Sequence, residues 1–351
     1  MLSAIGEGTE SADGEAVDWW FAYKLPHHVT EDPSTSVAVD EPLDGFNYLY
    51  YTANNTSGLC LSPNKLGAGA GALHNTLKLI FDSASSKPSS AGWLLYNDEK
   101  PQPAENDEDK GHCKGVLAFD FETNSAVWIL HSTPRFPITG SSDFPPDEKI
   151  YAQTFLAITL KDVATANALA QQMLIQQDPQ VYGYHWPGCA PTDRTATALK
   201  SLATGIPKTP AAKPSSCKFT SRGGQHFISI AKNRQWDRDF WIDLIGPTLD
   251  ADVNIESWRR GKMPGTQDAT AGLDVCDVGG IDLSSLSVNA RWPYTRDHAK
   301  WASSQASDWV CVADINRQIS QERRGGGGIC FQHQELWSAL SSIEVFAAPA
   351  R

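Results

Sequence analysis

The sequence has no run of about 18 apolar residues, the length that a membrane span requires, so a soluble protein without a membrane partner is expected. Its first residues, MLSAIGEGTESADGEAV, are polar and glycine-rich and contain no apolar stretch of the kind that marks a secretory signal. Basic charge is scarce: 29 Lys and Arg against 41 Asp and Glu leave a net charge of −12. That balance argues against a general nucleic-acid binder, because phosphate contacts need a basic surface. None of the seven cysteines stands in a Cys-x-x-Cys pair, which excludes a zinc ribbon or a thioredoxin motif, and their odd number leaves at least one thiol unpaired within the chain. The glycine-rich Gly67–Gly71 stretch lacks the Gly-Lys-Ser/Thr ending of a phosphate loop and reads as the lead-in to a helix. Asp107, Glu108 and Asp109 lack calcium-loop spacing and read as a solvated loop. No carboxylate cluster has metal-ligand spacing, so neither a metal nor a cofactor is expected.

The charge argument depends on pH. Nine histidines would carry the formal charge from −12 to −3 if all were protonated, so DNA binding becomes easier in acid than at neutrality. The 351 residues suffice for two globular units of roughly 150 residues, or for one fused two-lobed domain. Twelve tryptophans imply large aromatic clusters or an aromatic-lined groove.

Along the chain, residues 1–16 are expected to form a disordered lead. Residues 17–186 form a first lobe, 187–217 a Pro-, Ala-, Thr- and Ser-rich connection, and 218–351 a second lobe. Strands are expected at 17–26, 47–52, 92–97, 151–160, 226–231, 253–258 and 309–316, with a hairpin from 111–121 to 126–132. Leu73, Leu77, Ile80 and Phe81 are spaced for a helix. Asp162 is a suitable N-cap for another helix, carrying Val163, Ala166, Leu169 and Met173 and stopping before Pro179. A helix is also expected over 237–245. Gly325–Gly328 reads as a flexible loop before a last helix with Leu336, Leu340 and Ile343 on one face. Strands interleaved with helices in both halves indicate two α/β lobes of similar plan.

The chemistry is carried by a loose internal repeat. His112-Cys113-Lys114 in the first half recurs as His298-Ala299-Lys300 in the second, and each is followed by an apolar strand led by Trp128 or Trp309. On a strand, residues two apart share a side, so each His and Lys would reach one phosphate. The ammonium neutralises phosphate oxygens, and the imidazole attacks phosphorus or moves a proton. A single H-x-K is usually a solvated strand end; two in equivalent places are less easily accidental. The remaining histidines, His27, His28, His74, His185, His226 and His333, read as surface or structural residues, and Arg259-Arg260 and Arg323-Arg324 as solvated pairs.

The double H-x-K with a later Asp or Asn resembles the phospholipase D superfamily. The words VDWWFAYKLP (17–26), LLYNDEKPQP (94–103), GHCKGVLAFD (111–120), WILHSTPRFP (128–137), DHAKWA (297–302) and VCVADINRQISQERRGGGGIC (310–330) resemble one branch of it, deoxyribonuclease II. They stand in that family's order over most of the chain. The resemblance implies a phospholipase D-like α/β fold of two pseudo-symmetric lobes, each with a mixed β-sheet flanked by helices and the active site between them. It implies metal-independent hydrolysis of double-stranded DNA at acid pH, leaving 3′-phosphate ends. It carries over His112, Lys114, His298 and Lys300 as catalytic residues and His131 and Asn316 as supports, and it pairs Cys311 with Cys330. It also implies a lysosomal or secreted protein, and it leaves a homodimer open. One departure is that the superfamily acid usually follows Lys after four residues, whereas Asp120 follows Lys114 after five and is read as structural or as orienting a His, not as essential. Two other functions fit the same chemistry or fold: a lipid phosphodiesterase of the superfamily, and a catalytically silent DNA-binding homologue.

Overall fold

A computed structural model of the chain describes residues 1–7, 14–27, 43–54, 57–85, 89–101, 103, 105–188, 196–205, 211–265 and 272–346. His28, read as a surface or structural residue, and parts of the expected connection lie outside them. The main strands of the first half are β1 (Trp19–Lys24), β2 (Tyr48–Thr52), β3 (Cys60–Leu61), β4 (Ala91–Asn97), β5 (Lys114–Asp120), β6 (Ser125–His131), β7 (Gln153–Leu160) and β8 (Val181–His185). They form one eight-stranded sheet in the order β8-β4-β5-β6-β7-β1-β2-β3. The second half contributes β9 (Ser215–Thr220), β10 (His226–Lys232), β11 (Val253–Ser257), β12 (Val275–Asp277), β13 (Lys300–Ser304), β14 (Trp309–Ala313) and β15 (Gly326–Gln332). Their order in a seven-stranded sheet is β9-β10-β15-β14-β13-β11-β12. The five central strands of the two sheets, β4-β5-β6-β7-β1 and β11-β13-β14-β15-β10, follow the same order relative to the chain, and every neighbouring pair among them is antiparallel.

Burial explains why these segments are strands. β1, β4, β5, β6 and β7 are buried along their whole length, so their apolar side chains point both ways instead of alternating with polar ones. One face of the eight-stranded sheet is covered by α1 (Ala72–Ser85), whose Leu73, Leu77, Ile80 and Phe81 pack with Trp20, Leu95 and Ile129. The opposite face shares one continuous core with the seven-stranded sheet and with α2 (Val163–Gln172), α3 (Thr197–Ala203) and α4 (Gln334–Ser342). Phe21, Trp128, Leu169, Leu199, Val312, Phe331 and Leu336 all belong to it. The outer face of the second sheet is closed by Phe240, Trp241 and Ile245. As expected, Asp162 caps α2, its carboxylate accepting from the Thr165 amide at 2.8 Å. The helix continues through wider turns at Met173–Gln177 and stops at Asp178, in the left-handed conformation.

Four expectations are corrected. The described residues of the expected disordered lead, 1–7 and 14–16, are ordered. Ala4–Ile5 pairs with Ala16–Val17, and the amides of Leu2 and Ala4 donate to Ser125 Oγ and Thr159 Oγ1, each at 2.8 Å. The polar composition masked Leu2 and Ala4, two buried side chains at strand spacing. Within the expected 187–217 connection, the described segment 196–205 belongs to the core, with Leu199 and Leu202 of α3 buried in it, and β9 already begins at Ser215. The helix expected over 237–245 is present only as Trp241–Ile245, with the wider turn, followed by Gly246–Leu249.

The fourth correction concerns Gly325–Gly328, which is no flexible loop. Gly326, Gly327 and Gly328 begin β15, a buried inner strand. A Cβ on Gly326 would stand 2.4 Å from Ile315 Cδ1, and one on Gly328 2.8 Å from Ala313 Cβ. Glycine is there because neighbouring side chains leave no room for a carbon.

Cys311 on β14 and Cys330 on β15 stand opposite each other and are joined by a disulfide, with Cα atoms 4.1 Å apart. The bond closes a loop spanning 19 positions that contains Asn316 and the glycine run. Reduction, or the double variant C311S/C330S, is expected to lower unfolding free energy by about 3 kcal/mol on the chain-entropy model. Urea denaturation checks this, and an unchanged midpoint would contradict it.

Candidate active site

β5 and β13 occupy equivalent places in the two sheets, and each starts at the lysine of an H-x-K pair. The histidines therefore lie two residues ahead of the strands, not on them as strand periodicity suggested. Each is fixed by its backbone to another segment. The His112 amide donates to Gly325 O at 2.8 Å, and the His298 amide donates to Ala152 O at 2.9 Å. Asp297 shapes the turn into the second pair. Its carboxylate accepts from the Ala299 amide and from Trp292 Nε1, both at 2.8 Å, and from the hydroxyl of Tyr23 on β1.

His112, Lys114, His298, Lys300 and Asn316 come together in one pocket of about 170 Å³. A larger cavity of about 600 Å³, lined by Leu174, Val181 and Leu202 among others, holds none of them, so size alone points away from the chemistry. His112 Nδ1 lies 2.6 Å from the carbonyl oxygen of Asp314. A carbonyl only accepts, so Nδ1 carries the proton, and the neutral ring presents an unprotonated Nε2. His298 is held by ring packing instead. It stacks on Tyr151 at 3.8 Å with the planes 10° apart, and Trp258 lies 4.5 Å away on a tilted plane. Its Nε2 is buried without a hydrogen bond, as is Asn316 Oδ1.

His131 does not join this group. It is buried between Phe136 and Phe155, at 5.4 and 5.9 Å between ring centres, with neither ring nitrogen hydrogen-bonded. Asp120 turns the β5–β6 hairpin by accepting from Ser90 Oγ, Thr123 Oγ1 and the Glu122 amide. Sequence reasoning gave no role to Asp98, which pairs with Lys114, or to Arg324, whose guanidinium is 3.1 Å from the other oxygen of Asp98. Trp258 and Tyr151 were missed as well. Their only signal was position: Asp98 and Arg324 both fall within the family-like words, and Arg324 had been set aside as half of a solvated pair. Its neighbour Arg323 is indeed exposed, bound to Asp237.

Residues 9–347 match the family model described as deoxyribonuclease II. The chain belongs to the deoxyribonuclease II family. A relative from Burkholderia pseudomallei, provisionally named deoxyribonuclease-2, is 43% identical over 336 residues, covering 95% of this chain and 91% of its own. Deoxyribonuclease-2-alpha of Rattus norvegicus is 31% identical over 350 residues, 97% of this chain and 93% of its own. Plancitoxin-1 of Acanthaster planci is 29% identical over 357 residues, 97% of this chain and 93% of its own. Membership makes the chain a hydrolase of the deoxyribonuclease class. Among its described residues no helix is long and apolar enough to cross a membrane.

In this deoxyribonuclease II member the pocket charges oppose one another. Burial, then the charge of Lys114, holds His112 well below the usual imidazole range. Burial, then Lys300 and Lys114, lowers His298 to about 2. Burial, then Lys114, lowers Lys300 to about 7. His131 is lowered to about 3 by burial and then by Lys114, so the ring outside the pocket still feels it. Asp98 is the exception. Burial raises its carboxyl, but Lys114, His112 and Arg324 together hold it well below the carboxylate range.

A buried lysine with a depressed pKa costs stability where the unfolded chain would protonate it. Between about 7 and its ordinary value near 10.5 the unfolded chain holds one more proton at Lys300, so this contribution to stability rises with pH across that window. Below about 7 the cost is fully present. Lys300→Met is therefore expected to abolish activity yet stabilise the fold by about 1–2 kcal/mol at pH 5.5, with the gain shrinking toward pH 10. Thermal melts at both pH values test this; a variant that is less stable at pH 5.5 would contradict it.

Proposed function

We propose that the chain hydrolyses double-stranded DNA in acid, without a metal, through a phosphohistidine intermediate that leaves 3′-phosphate ends. His112 Nε2 attacks phosphorus, forming an N–P bond as the P–O5′ bond breaks. His298 gives its proton to the leaving 5′ oxygen. Water then attacks phosphorus, His298 takes the water proton, and the N–P bond breaks to restore His112. Lys114 and Lys300 stabilise the charge on the non-bridging oxygens in both steps.

The observation that carries this reading is the 2.6 Å contact of His112 Nδ1 with the Asp314 carbonyl oxygen, which can only accept. Bonded to the Asp314 carbonyl, the ring is neutral with its Nε2 lone pair free, as a nucleophile must be, and it shares a pocket with two lysines. The matching order of the five central strands, each sheet starting its second strand with an H-x-K lysine, supports a phospholipase D-like pair of pseudo-symmetric halves. The donor set supports metal-free chemistry: Lys114, Lys300 and Arg324 repel a divalent cation, and the Asp98 carboxylate among them is already paired twice. Acid operation follows from Lys300, which loses its charge as pH rises through about 7. A bound phosphodiester adds negative charge beside His298, opposing the lysines that depress it, and acid supplies its proton. The buried, unbonded Oδ1 of Asn316 in the pocket supports a role in holding substrate, and His131, at the end of β6, is read as supporting the site from outside it. A lipid substrate finds no observation in its favour, and a silent homologue would have no need of both complete pairs.

Plasmid cleavage is expected to persist in excess chelator and to peak below about pH 6.5, the reference imidazole value. The rate constant kcat/KM should fall as pH rises through about 7. H112A and H298A should each lose on the order of 100-fold or more. Activity that disappears with chelator and returns with magnesium, or a maximum at pH 8 or above, would contradict the mechanism.

A further inference from the structure

The two lysines of the H-x-K pairs are not equivalent. Lys300 Nζ donates to the His298 carbonyl at 2.6 Å and, among the described residues, pairs with no carboxylate. Lys114 Nζ donates to Asp98 Oδ1, and both side chains are almost fully buried. The second oxygen of Asp98 accepts from Arg324, which reaches across from the segment just before β15. Arg324 is itself braced, its guanidinium donating to the Lys110 carbonyl at 2.8 and 3.2 Å. The amide of His112 is bonded to the carbonyl of the next residue, Gly325. Asp98 thus joins the first H-x-K lysine to the chain segment that positions the first H-x-K histidine.

We propose that Asp98, braced by Arg324, is a positioning residue for the DNA-cleavage reaction, aiming the Lys114 ammonium and balancing the pocket's cations. The inference rests on the reading of Lys114 as a phosphate-binding group. Asp98 faces His112, Cys113 and Lys114 on its own sheet, and Lys300 and Arg324 from the other half, with buried Asp314 beyond. Its negative charge opposes the depression of both His112 and Lys300. Without it Lys114, Lys300 and Arg324 stand together with no paired carboxylate between them, and the ammonium of Lys114 loses the partner that fixes its direction.

The test compares D98N, R324Q and the double variant D98N/R324Q with the wild type on a plasmid substrate from pH 4 to 8, with folding checked by circular dichroism. D98N is nearly isosteric. It is expected to lose about 100-fold in kcat/KM from misdirection of the ammonium. Its alkaline limb should move to lower pH by about one unit, because the opposing charge that lifts Lys300 is gone. R324Q removes one of the uncompensated cations, so the limb of the double variant should return toward the wild-type position, while the rate lost with the aim of Lys114 stays lost. A D98N profile that keeps the wild-type limb overturns the proposal, whatever the drop in rate. So does a double variant whose limb stays where D98N puts it, or full activity in D98N while K114A is dead. If H112A and K114A also retain activity, the failure lies instead in the reading of the site. Should D98N not fold, R324Q alone decides. It releases one oxygen of Asp98 and removes one cation, so its alkaline limb should move to higher pH, and an unmoved limb overturns the proposal.

Discussion

His112 donates its Nδ1 proton to the carbonyl of Asp314, 202 residues further along the chain, and the rest of the site depends on that bond being possible. It requires the start of β5 in one sheet to meet the end of β14 in the other. The meeting is arranged by the core the two sheets share and by backbone contacts at the sheet ends, where Gly111 donates to Asp178 and His112 to Gly325. It also requires the chain to pass very close to itself, which explains the glycines. A Cβ on Gly111 would stand 1.8 Å from the Gln177 carbonyl oxygen, and one on Gly325 2.5 Å from the same atom. The glycine run is therefore part of how His112 is oriented, through the fit of backbone against backbone.

The same arrangement has an energetic cost. Two histidines, two lysines and an arginine converge on a small pocket, and burial together with mutual repulsion depresses both imidazoles and Lys300. A fold selected for stability alone would not place them so. The cost is tolerable because the surroundings are rigid. Aromatic stacking holds His298 through Tyr151 and Trp258, and a carboxylate accepting three hydrogen bonds holds the turn before it. On the proposed function, a phosphodiester adds negative charge beside these cations, so their mutual repulsion becomes attraction for substrate. That also reconciles a chain of net charge −12 with a nucleic-acid substrate: the positive charge is local and largely buried.

Much of this was legible in the sequence, for identifiable reasons. Segments such as WWFAYK and AVWILH are apolar on both faces, so their strand character and burial could be read directly. The periodicity of α1 and the Asp162 cap are local signals, and both appear in the structure. The H-x-K pairs were visible because their chemistry needs two residue types at short spacing. What stayed hidden depends on long-range contacts. Nothing local distinguishes a flexible Gly-Gly-Gly from a strand whose neighbours exclude every Cβ. Asp98 was one letter of LLYNDEKPQP until Lys114 and Arg324 came together around it, and nothing local told that the His131 ring packs between two phenylalanines.

The claim at the centre of this account is that His112 is the nucleophile and His298 the proton donor. It is tested most directly in the H298A variant, with a labelled phosphodiester whose leaving group needs no protonation. Quenching at alkaline pH, where phosphohistidine survives, and mapping the labelled peptide locates the bond. The account predicts label on His112, and none in H112A. Label on His298 in a reaction of the wild-type protein would reverse the roles, and the absence of label from every variant would replace the covalent step with direct attack by water.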